Sequence, residues 1–135
     1  MDQLGNLLGI LAAALFILAL LNFAVKFVNR IWVAKLTKGS GFRRGYTAGM
    51  RFLVKNHRFF GGGAAVLMLA HIVLQLLFKW VSLTGVAAAV FAVAAVALGA
   101  AMYRGKKRSP GLLWAHRGAA IALVVLLVSH VITRI

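Results

Sequence analysis

The chain has 135 residues, of which 63% are hydrophobic, and its mean hydropathy is +0.95. A soluble domain of this length could not bury so much apolar side chain, so lipid must solvate much of it. The net charge of +15, from sixteen Lys and Arg against the single acid Asp2, indicates contact with anionic headgroups rather than nucleic acid. The absence of cysteine excludes disulfides, thiolate-bound zinc, iron–sulfur clusters and covalently attached c-type haem.

Four apolar stretches are long enough to cross a hydrocarbon core of about 30 Å, which takes about 20 helical residues. They are roughly Leu7–Val25, Phe59–Phe78, Gly85–Tyr103 and Leu112–Thr133. The first follows no positively charged region, so we expect a retained span rather than a signal peptide. The sequence therefore predicts a single all-α domain over residues 1–135, a transmembrane four-helix up-down bundle.

The two basic connections lie on one side of this bundle. The segment between the first two spans carries nine cations and is too basic for the bilayer core. Within it, Lys38–Gly41 predicts a break, and apolar periodicity on either side indicates that both helices project beyond the membrane to a turn there, the first reaching about Leu36. The connection before the last span is short and basic, and Pro110 is well placed to begin the last helix.

The distribution of charge predicts an orientation. Fourteen of the sixteen cations, Arg117 included, fall on the side of the basic connections, and only Lys79 and Arg134 fall on the other. By the positive-inside rule we expect a multi-pass protein of a bacterial or archaeal cytoplasmic membrane with both termini outside. The second and fourth helices then run parallel, from inside to outside.

These two helices carry all four histidines, His57 and His71 on the second and His116 and His130 on the fourth. Within each helix the two histidines are fourteen residues apart. Fourteen residues of α-helix return to within about 40° of the same face and rise about 21 Å. Because the helices run parallel, we expect His57 to face His116 at one depth and His71 to face His130 at another.

Facing imidazoles point to a particular class of cofactor. A pair with no Cys, Asp or Glu nearby is a poor site for zinc or non-haem iron, which take three or four protein ligands. It is a complete axial ligand set for one haem. We therefore expect two noncovalent b-type haems, each held by two histidines. A single membrane histidine more often only makes hydrogen bonds, but the repeated spacing in parallel helices favours ligands.

The pattern resembles the four-helix dihaem core of cytochrome b from the respiratory and photosynthetic quinol-oxidising complexes. In that family the second and fourth helices each carry two histidines at about this spacing, and the other two carry glycines where haem faces need room. Gly85 and Gly99 are also fourteen apart, whereas Gly5 and Gly9 give no such match. The family's extra helices and its Pro-Glu-Trp-Tyr motif have no counterpart here, so bifurcated quinol oxidation does not carry over. Smaller dihaem cytochromes and ferric-reductase membrane domains use similar histidine pairs.

Small and basic residues near the histidines are further candidates for cofactor binding. Gly61 lies one turn after His57, and we expect it and Gly99 to leave room for haem, although ordinary small-residue packing is an equal alternative. The dipeptide His-Arg occurs twice, so Arg58 and Arg117 are candidates to pair with the propionates of the inner haem. The positive-inside rule alone also explains both arginines.

Around the outer haem the sequence offers fewer polar groups. Lys79 and Arg134 are the available cations, and Ser82 and Thr84 are candidate hydrogen-bond donors. Gln75, one turn beyond His71, either contacts a haem edge or a quinone or makes the commoner interhelical hydrogen bond.

Together these features predict a transmembrane electron conduit between a quinol or protein donor and a separate redox partner. No acid lies in any span, which argues against a carboxylate-driven proton pump, and no nucleotide motif is present. Two alternatives stay open. One is a haem-free scaffold or assembly subunit whose basic face docks a partner or anionic lipid. The other is an enzyme, a quinone reductase or superoxide oxidase, acting at one haem edge. The sequence leaves open the quinone, the direction of electron flow and the oligomeric state, a homo-oligomer included.

Overall fold

A computed structural model of the chain describes residues 2–78, 82–105 and 109–133. Within these ranges the fold is all-α, with four long helices: α1 (Asp2–Ile31), α2 (Gly41–Phe78), α3 (Leu83–Arg104) and α4 (Pro110–Ile132). Each is long and apolar enough to cross a membrane. The predicted four-helix transmembrane bundle is therefore confirmed, and the chain is a multi-pass membrane protein. Lys79, Arg134 and the middle of the last basic connection lie outside the described residues.

The helices on the basic side are longer than the predicted spans. α2 begins at Gly41, so His57 lies well inside a continuous helix that projects beyond the apolar span, as predicted. The first helix also projects, since α1 ends at Ile31 and a short 3₁₀ helix, Val33–Lys35, continues it close to the predicted Leu36. The chain then turns at the predicted break, where Gly39 has a φ of 98° that side chains rarely adopt.

Serine side chains cap the shorter helices α3 and α4. The Ser82 hydroxyl accepts a hydrogen bond from the Gly85 backbone amide at the start of α3. Ser109 accepts one from the Leu112 amide in the same way, and Pro110 opens α4 as predicted. Both caps satisfy amide groups that a helix N-terminus leaves without partners.

The helices pack as two close pairs, α1 against α2 and α3 against α4, with a smaller contact between α2 and α3. Among the described residues, no Cα atom of α2 comes within 8 Å of one in α4. The two histidine-bearing helices are thus held apart from each other, each packed against its own neighbour. That separation defines the space in which the candidate site lies.

Candidate functional site

The inner pair, His57 and His116, lies nearer the basic connections. The centroids of the two rings are 6.1 Å apart and the ring planes are nearly perpendicular, at 87°. His57 donates its Nδ1–H to the Ala19 carbonyl of α1 at 3.0 Å. His116 donates its Nδ1–H to the Ala95 carbonyl of α3 at 2.8 Å. Each ring is therefore fixed by a helix other than its own.

The outer pair, His71 and His130, is held in a related way. His71 donates its Nδ1–H to the Gly5 carbonyl of α1 at 2.7 Å. His130 Nδ1 lies 3.0 Å from the Ser82 hydroxyl and 3.2 Å from the Thr84 hydroxyl, at the start of α3. Three of the four histidines thus form a hydrogen bond with a backbone carbonyl, and the fourth lies within hydrogen-bond distance of two hydroxyl groups.

These hydrogen bonds determine which ring nitrogen can bind a metal. A carbonyl oxygen only accepts, so Nδ1 of His57, His71 and His116 must carry the proton, and the neutral ring keeps its lone pair on Nε2. Metal-binding histidines are usually oriented in this way, with the other ring N–H donated to a backbone carbonyl or carboxylate. Three of the four histidines therefore keep Nε2 available to a metal ion.

The spacing of the inner rings fits one metal ion between them. Two imidazoles that bind one metal through Nε2 at about 2.0–2.1 Å have ring centroids about 6.3 Å apart, because each centroid lies about 1.1 Å behind its Nε2. The observed separation is 6.1 Å. No group of three or more His, Cys, Asp or Glu side chains converges in the described part of the chain. The donor set is therefore suited to an ion whose other ligands come from a macrocycle, as in haem.

A cavity of about 1190 Å³ lies between the helix pairs, and all four histidines line it. Its walls come from all four helices and consist mainly of alanine, glycine and other apolar side chains. Most single small-molecule sites have volumes of about 300–1,000 Å³. This cavity is larger, and it spans both histidine pairs. Its volume and lining fit a large apolar ligand that imidazole could hold.

Glycines bring the flanking helices close to the histidine rings. A Cβ atom added at Gly9 would lie 3.2 Å from His71, and one at Gly85 would lie 3.1 Å from His130. At Gly99 it would lie 3.5 Å from His116. Gly99 therefore lies beside the His116 ring, and it also lines the cavity.

Gly61 has a different environment. A Cβ atom there would meet no atom within 4 Å, and the residue lines the cavity. This open position agrees with the expectation that Gly61 leaves room for a ligand.

Helix α1 supplies partners that the sequence analysis missed. The carbonyls of Gly5 and Ala19, which accept from the two histidines of α2, are themselves fourteen residues apart. The fourteen-residue spacing of the histidines in α2 is thus matched by the spacing of the two backbone carbonyls in α1. A carbonyl has no side-chain signature in a sequence. The one sequence feature that accompanies these contacts is Gly9, a small residue that lets α1 approach His71 closely.

An apolar layer separates the two histidine pairs. Leu123 lies midway between His116 and His130 and is only 6% exposed. It packs with buried Ala88 and Ala92 of α3, and partly buried side chains from α1, α2 and α4 pack against them: Phe16, Met68 and Leu126. Within the described ranges, no polar or charged side chain is fully buried. This apolar cluster also forms part of the cavity wall between the two histidine pairs.

The arginines predicted to meet propionates differ in position. Arg58 lines the cavity together with Lys55, and its guanidinium lies 4.7 Å from the Phe59 ring centroid and 5.0 Å from that of Tyr103. Arg117 is not among the residues that line the cavity, and its guanidinium lies 5.2 Å from the Trp114 ring centroid. Arg58 is thus the better placed of the two.

At the outer end of the cavity, the described polar lining is neutral. It consists of Asn6, Gln75 and Ser82 beside the two histidines. Ser82 and Thr84, predicted as donors to a ligand, are instead the partners of His130. The cations predicted for this end, Lys79 and Arg134, lie outside the described residues.

Comparisons with protein-family models, with curated proteins and with solved structures find no match for this chain.

Proposed function

We propose that the chain is a transmembrane electron-transfer cytochrome that binds two b-type haems, one between His57 and His116 and the other between His71 and His130. The observation that carries the proposal is the common arrangement of the four rings. Each is fixed through Nδ1 by a flanking helix, and all four line one apolar cavity. Histidines that served only the packing of the bundle would not need this repeated geometry.

The chain's own residues prepare both sites. The carbonyls of Ala19, Ala95 and Gly5 hold three rings in the tautomer that leaves Nε2 for a metal and increase the basicity of the ligands. The cavity wall between the pairs is apolar around Leu123. Arg58 and Lys55 are the cations that line the cavity, and they would pair with carboxylates of an inner haem.

When bound, each haem would supply a one-electron iron couple. The two pairs are separated by about 21 Å along the helices, which is most of a hydrocarbon core of about 30 Å. Electrons would thus cross the membrane between a quinol or protein donor on one side and a separate redox partner on the other. The proposal includes the orientation expected from the positive-inside rule, with both termini outside a cytoplasmic membrane and the basic connections against anionic headgroups.

Proteoliposomes test this function directly. The purified protein is reconstituted into vesicles that enclose oxidised cytochrome c, and dithionite is added outside. We expect reduction of the enclosed cytochrome c to be much faster than in protein-free vesicles. The His71→Ala variant, which keeps the inner pair, should fall back to the protein-free rate. A wild-type rate equal to that of protein-free vesicles would show that the proposed function is wrong.

A further inference from the structure

The basic end of α2 extends beyond the whole bilayer. α2 has 38 residues and is about 57 Å long, whereas a bilayer with its headgroups is about 40–45 Å thick. The part from Phe59 to Phe78 is apolar, so the excess length lies at the N-terminal end. At least about 12 Å of α2, or roughly eight residues, therefore stands clear of the headgroups.

Local contacts hold this end in a defined shape. The Tyr46 hydroxyl donates to the Val25 carbonyl of α1 at 2.8 Å, which ties the two helices together. The Arg43 guanidinium donates to the Leu36 carbonyl across the turn at 2.7 Å. Val33 is only 2% exposed. We refer to residues 31–48, the turn with the adjoining helix ends, as the arm.

The surface of the arm is cationic and also carries exposed apolar side chains. Lys35, Lys38 and Arg44 are exposed, and no acidic residue follows Asp2 anywhere in the sequence to balance them. Trp32 is 71% exposed and Phe42 is 67% exposed. Large aromatic residues surrounded by arginine and a charged rim are typical of protein interfaces.

Trp32, seven residues beyond Val25, lies near headgroup depth, where indoles commonly anchor, but the tip of the arm lies farther out. The headgroup layer on each side of the core is only about 5–8 Å thick, and the arm extends past it. Other exposed cations, Arg51 in α2 and Arg104 at the end of α3, lie closer to the core along their helices and are sufficient to meet headgroups. The charge at the tip therefore has no lipid partner at its own depth.

The arm also stands beside the inner histidine pair. From His57, α2 runs sixteen residues towards Gly41, or about 24 Å. From Ala95, which accepts from His116, α3 runs only nine residues to Arg104, or about 14 Å. The arm thus rises about 10 Å above the end of α3 and forms a cationic wall next to the surface over the inner pair.

We propose that the arm docks a soluble, acidic electron-carrier protein that exchanges electrons with the inner site. Opposite charge would steer the carrier towards the arm and set the orientation of the complex, and Trp32 and Phe42 would supply its apolar contact. One electron leaves the carrier's cofactor and reduces one ferric iron to ferrous, or travels in the reverse direction. This proposal rests on the proposed function, because it assumes a redox group at the inner pair.

The test uses the full chain in nanodiscs of phosphatidylcholine alone, so that no anionic lipid is present. Reduced flavodoxin, a small acidic flavoprotein, is the probe, and stopped-flow absorption measures reduction of the haem. We expect the second-order rate to fall as salt rises from about 0.05 to 0.5 M. The Lys38→Glu/Arg44→Glu variant should be at least about tenfold slower than wild type at low salt.

A matched variant, Arg51→Glu/Arg104→Glu, changes the net charge by the same amount at headgroup depth. Its rate should stay within about threefold of wild type, since steering depends on the local field. Equal slowing of the two variants, or a rate insensitive to salt, would overturn the docking proposal. So would a defect of Lys38→Glu/Arg44→Glu that appears only in discs containing phosphatidylglycerol, because the arm would then be a lipid contact.

Two further measurements separate this proposal from the proposed function. Dithionite should reduce wild type, Lys38→Glu/Arg44→Glu and Arg51→Glu/Arg104→Glu to the same extent. Equal reduction would show that the haem sites of both variants are intact. Flavodoxin binding to immobilised discs should persist in the His57→Ala/His116→Ala variant and be lost in Lys38→Glu/Arg44→Glu. If wild-type protein contains no haem, the proposed function fails. If haem is present but binding ignores Lys38 and Arg44, the docking proposal fails alone.

Discussion

The inner and outer histidine pairs share one design but differ in how their rings are fixed. Both rings of the inner pair donate to carbonyls inside continuous helices, at Ala19 and Ala95. In the outer pair only His71 does so. His130 instead meets two hydroxyls at the first turn of α3, where Ser82 is also the helix cap.

The difference shows how ligand orientation depends on position along a helix. A carbonyl in a helix interior is a fixed acceptor and permits one tautomer of the histidine. A hydroxyl can rotate and can either donate or accept, so its control of the ring is weaker and depends on the capping turn. The outer pair should therefore be the more sensitive of the two to changes in its surroundings.

The largest expected effect is the loss of a whole site when a ligand is removed. His57→Ala and His116→Ala should each abolish the same inner haem, because the two rings face each other at 6.1 Å. His71→Ala and His130→Ala should each abolish the other haem. Haem content should fall from about two per chain to about one, as measured by pyridine haemochrome and protein assay.

Potentiometric titration identifies which haem each variant retains. If His57→Ala and His116→Ala leave haems with different midpoint potentials, the ligands are paired differently from the structure, or come from two chains of an oligomer. Loss of both haems from a single variant would show that the sites do not form independently.

Removing the hydroxyl partners should affect the outer site alone. In a Ser82→Ala/Thr84→Val variant, His130 loses the two hydroxyls that lie beside its Nδ1, and such outer-shell changes typically cost about 10–100-fold in metal affinity. We expect weaker retention of the outer haem and a higher midpoint potential, because the imidazole becomes less basic. Haem loss to apomyoglobin measures retention. An equal change at the inner haem would refute the assignment.

Glycine substitutions compare the space around the two pairs. An alanine Cβ at Gly85 would lie 2.9 Å from the Ser82 hydroxyl and 3.1 Å from His130, whereas at Gly99 the nearest atom of His116 would be 3.5 Å away. Gly85→Ala should therefore reduce outer haem content, and Gly99→Ala should leave inner haem content unchanged. The spectra of the two purified variants provide the check. A larger loss in Gly99→Ala would contradict the predicted difference in packing.

The smallest effect is expected from the arginines beside the inner pair. Arg58 lines the cavity, so Arg58→Gln should lower the inner midpoint potential by tens of millivolts, because a nearby cation favours the ferrous state. Arg117 lies over Trp114 instead. Arg117→Gln is the matched control and should leave both potentials unchanged. A greater shift in Arg117→Gln would reverse the two assignments.

The sequence was sufficient to predict the helices and the placing of the histidines. Long apolar stretches and the fourteen-residue spacing are encoded in side chains, and the facing of His57 with His116 followed from helix geometry. The projection of both helices on the basic side, to a turn at Lys38–Gly41, was also predicted from the apolar periodicity on either side of that break. The sequence did not indicate that the last turn of the first helix is a separate 3₁₀ helix.

The groups that hold the histidine rings were harder to predict, because three of them are backbone carbonyls rather than side chains. Neither the Gly5 carbonyl nor the Ala19 carbonyl is distinguishable in a sequence, so the role of α1 in holding both histidines of α2 was not anticipated. Gly99 was expected to leave room for a haem and does line the cavity, but its closeness to the His116 ring was not anticipated. Such assignments depend on how two helices are rotated against each other, which a single helix pattern does not specify.

The most direct test of the two-haem proposal is the reduced-minus-oxidised absorption spectrum of the purified wild-type protein, combined with its haem-to-protein ratio. We predict the sharp α-band of low-spin b-type haem with two histidine ligands and a ratio of about two haems per chain. A colourless protein would favour the haem-free scaffold. A ratio of about one, or a high-spin spectrum, would contradict the assignment of all four histidines as ligands.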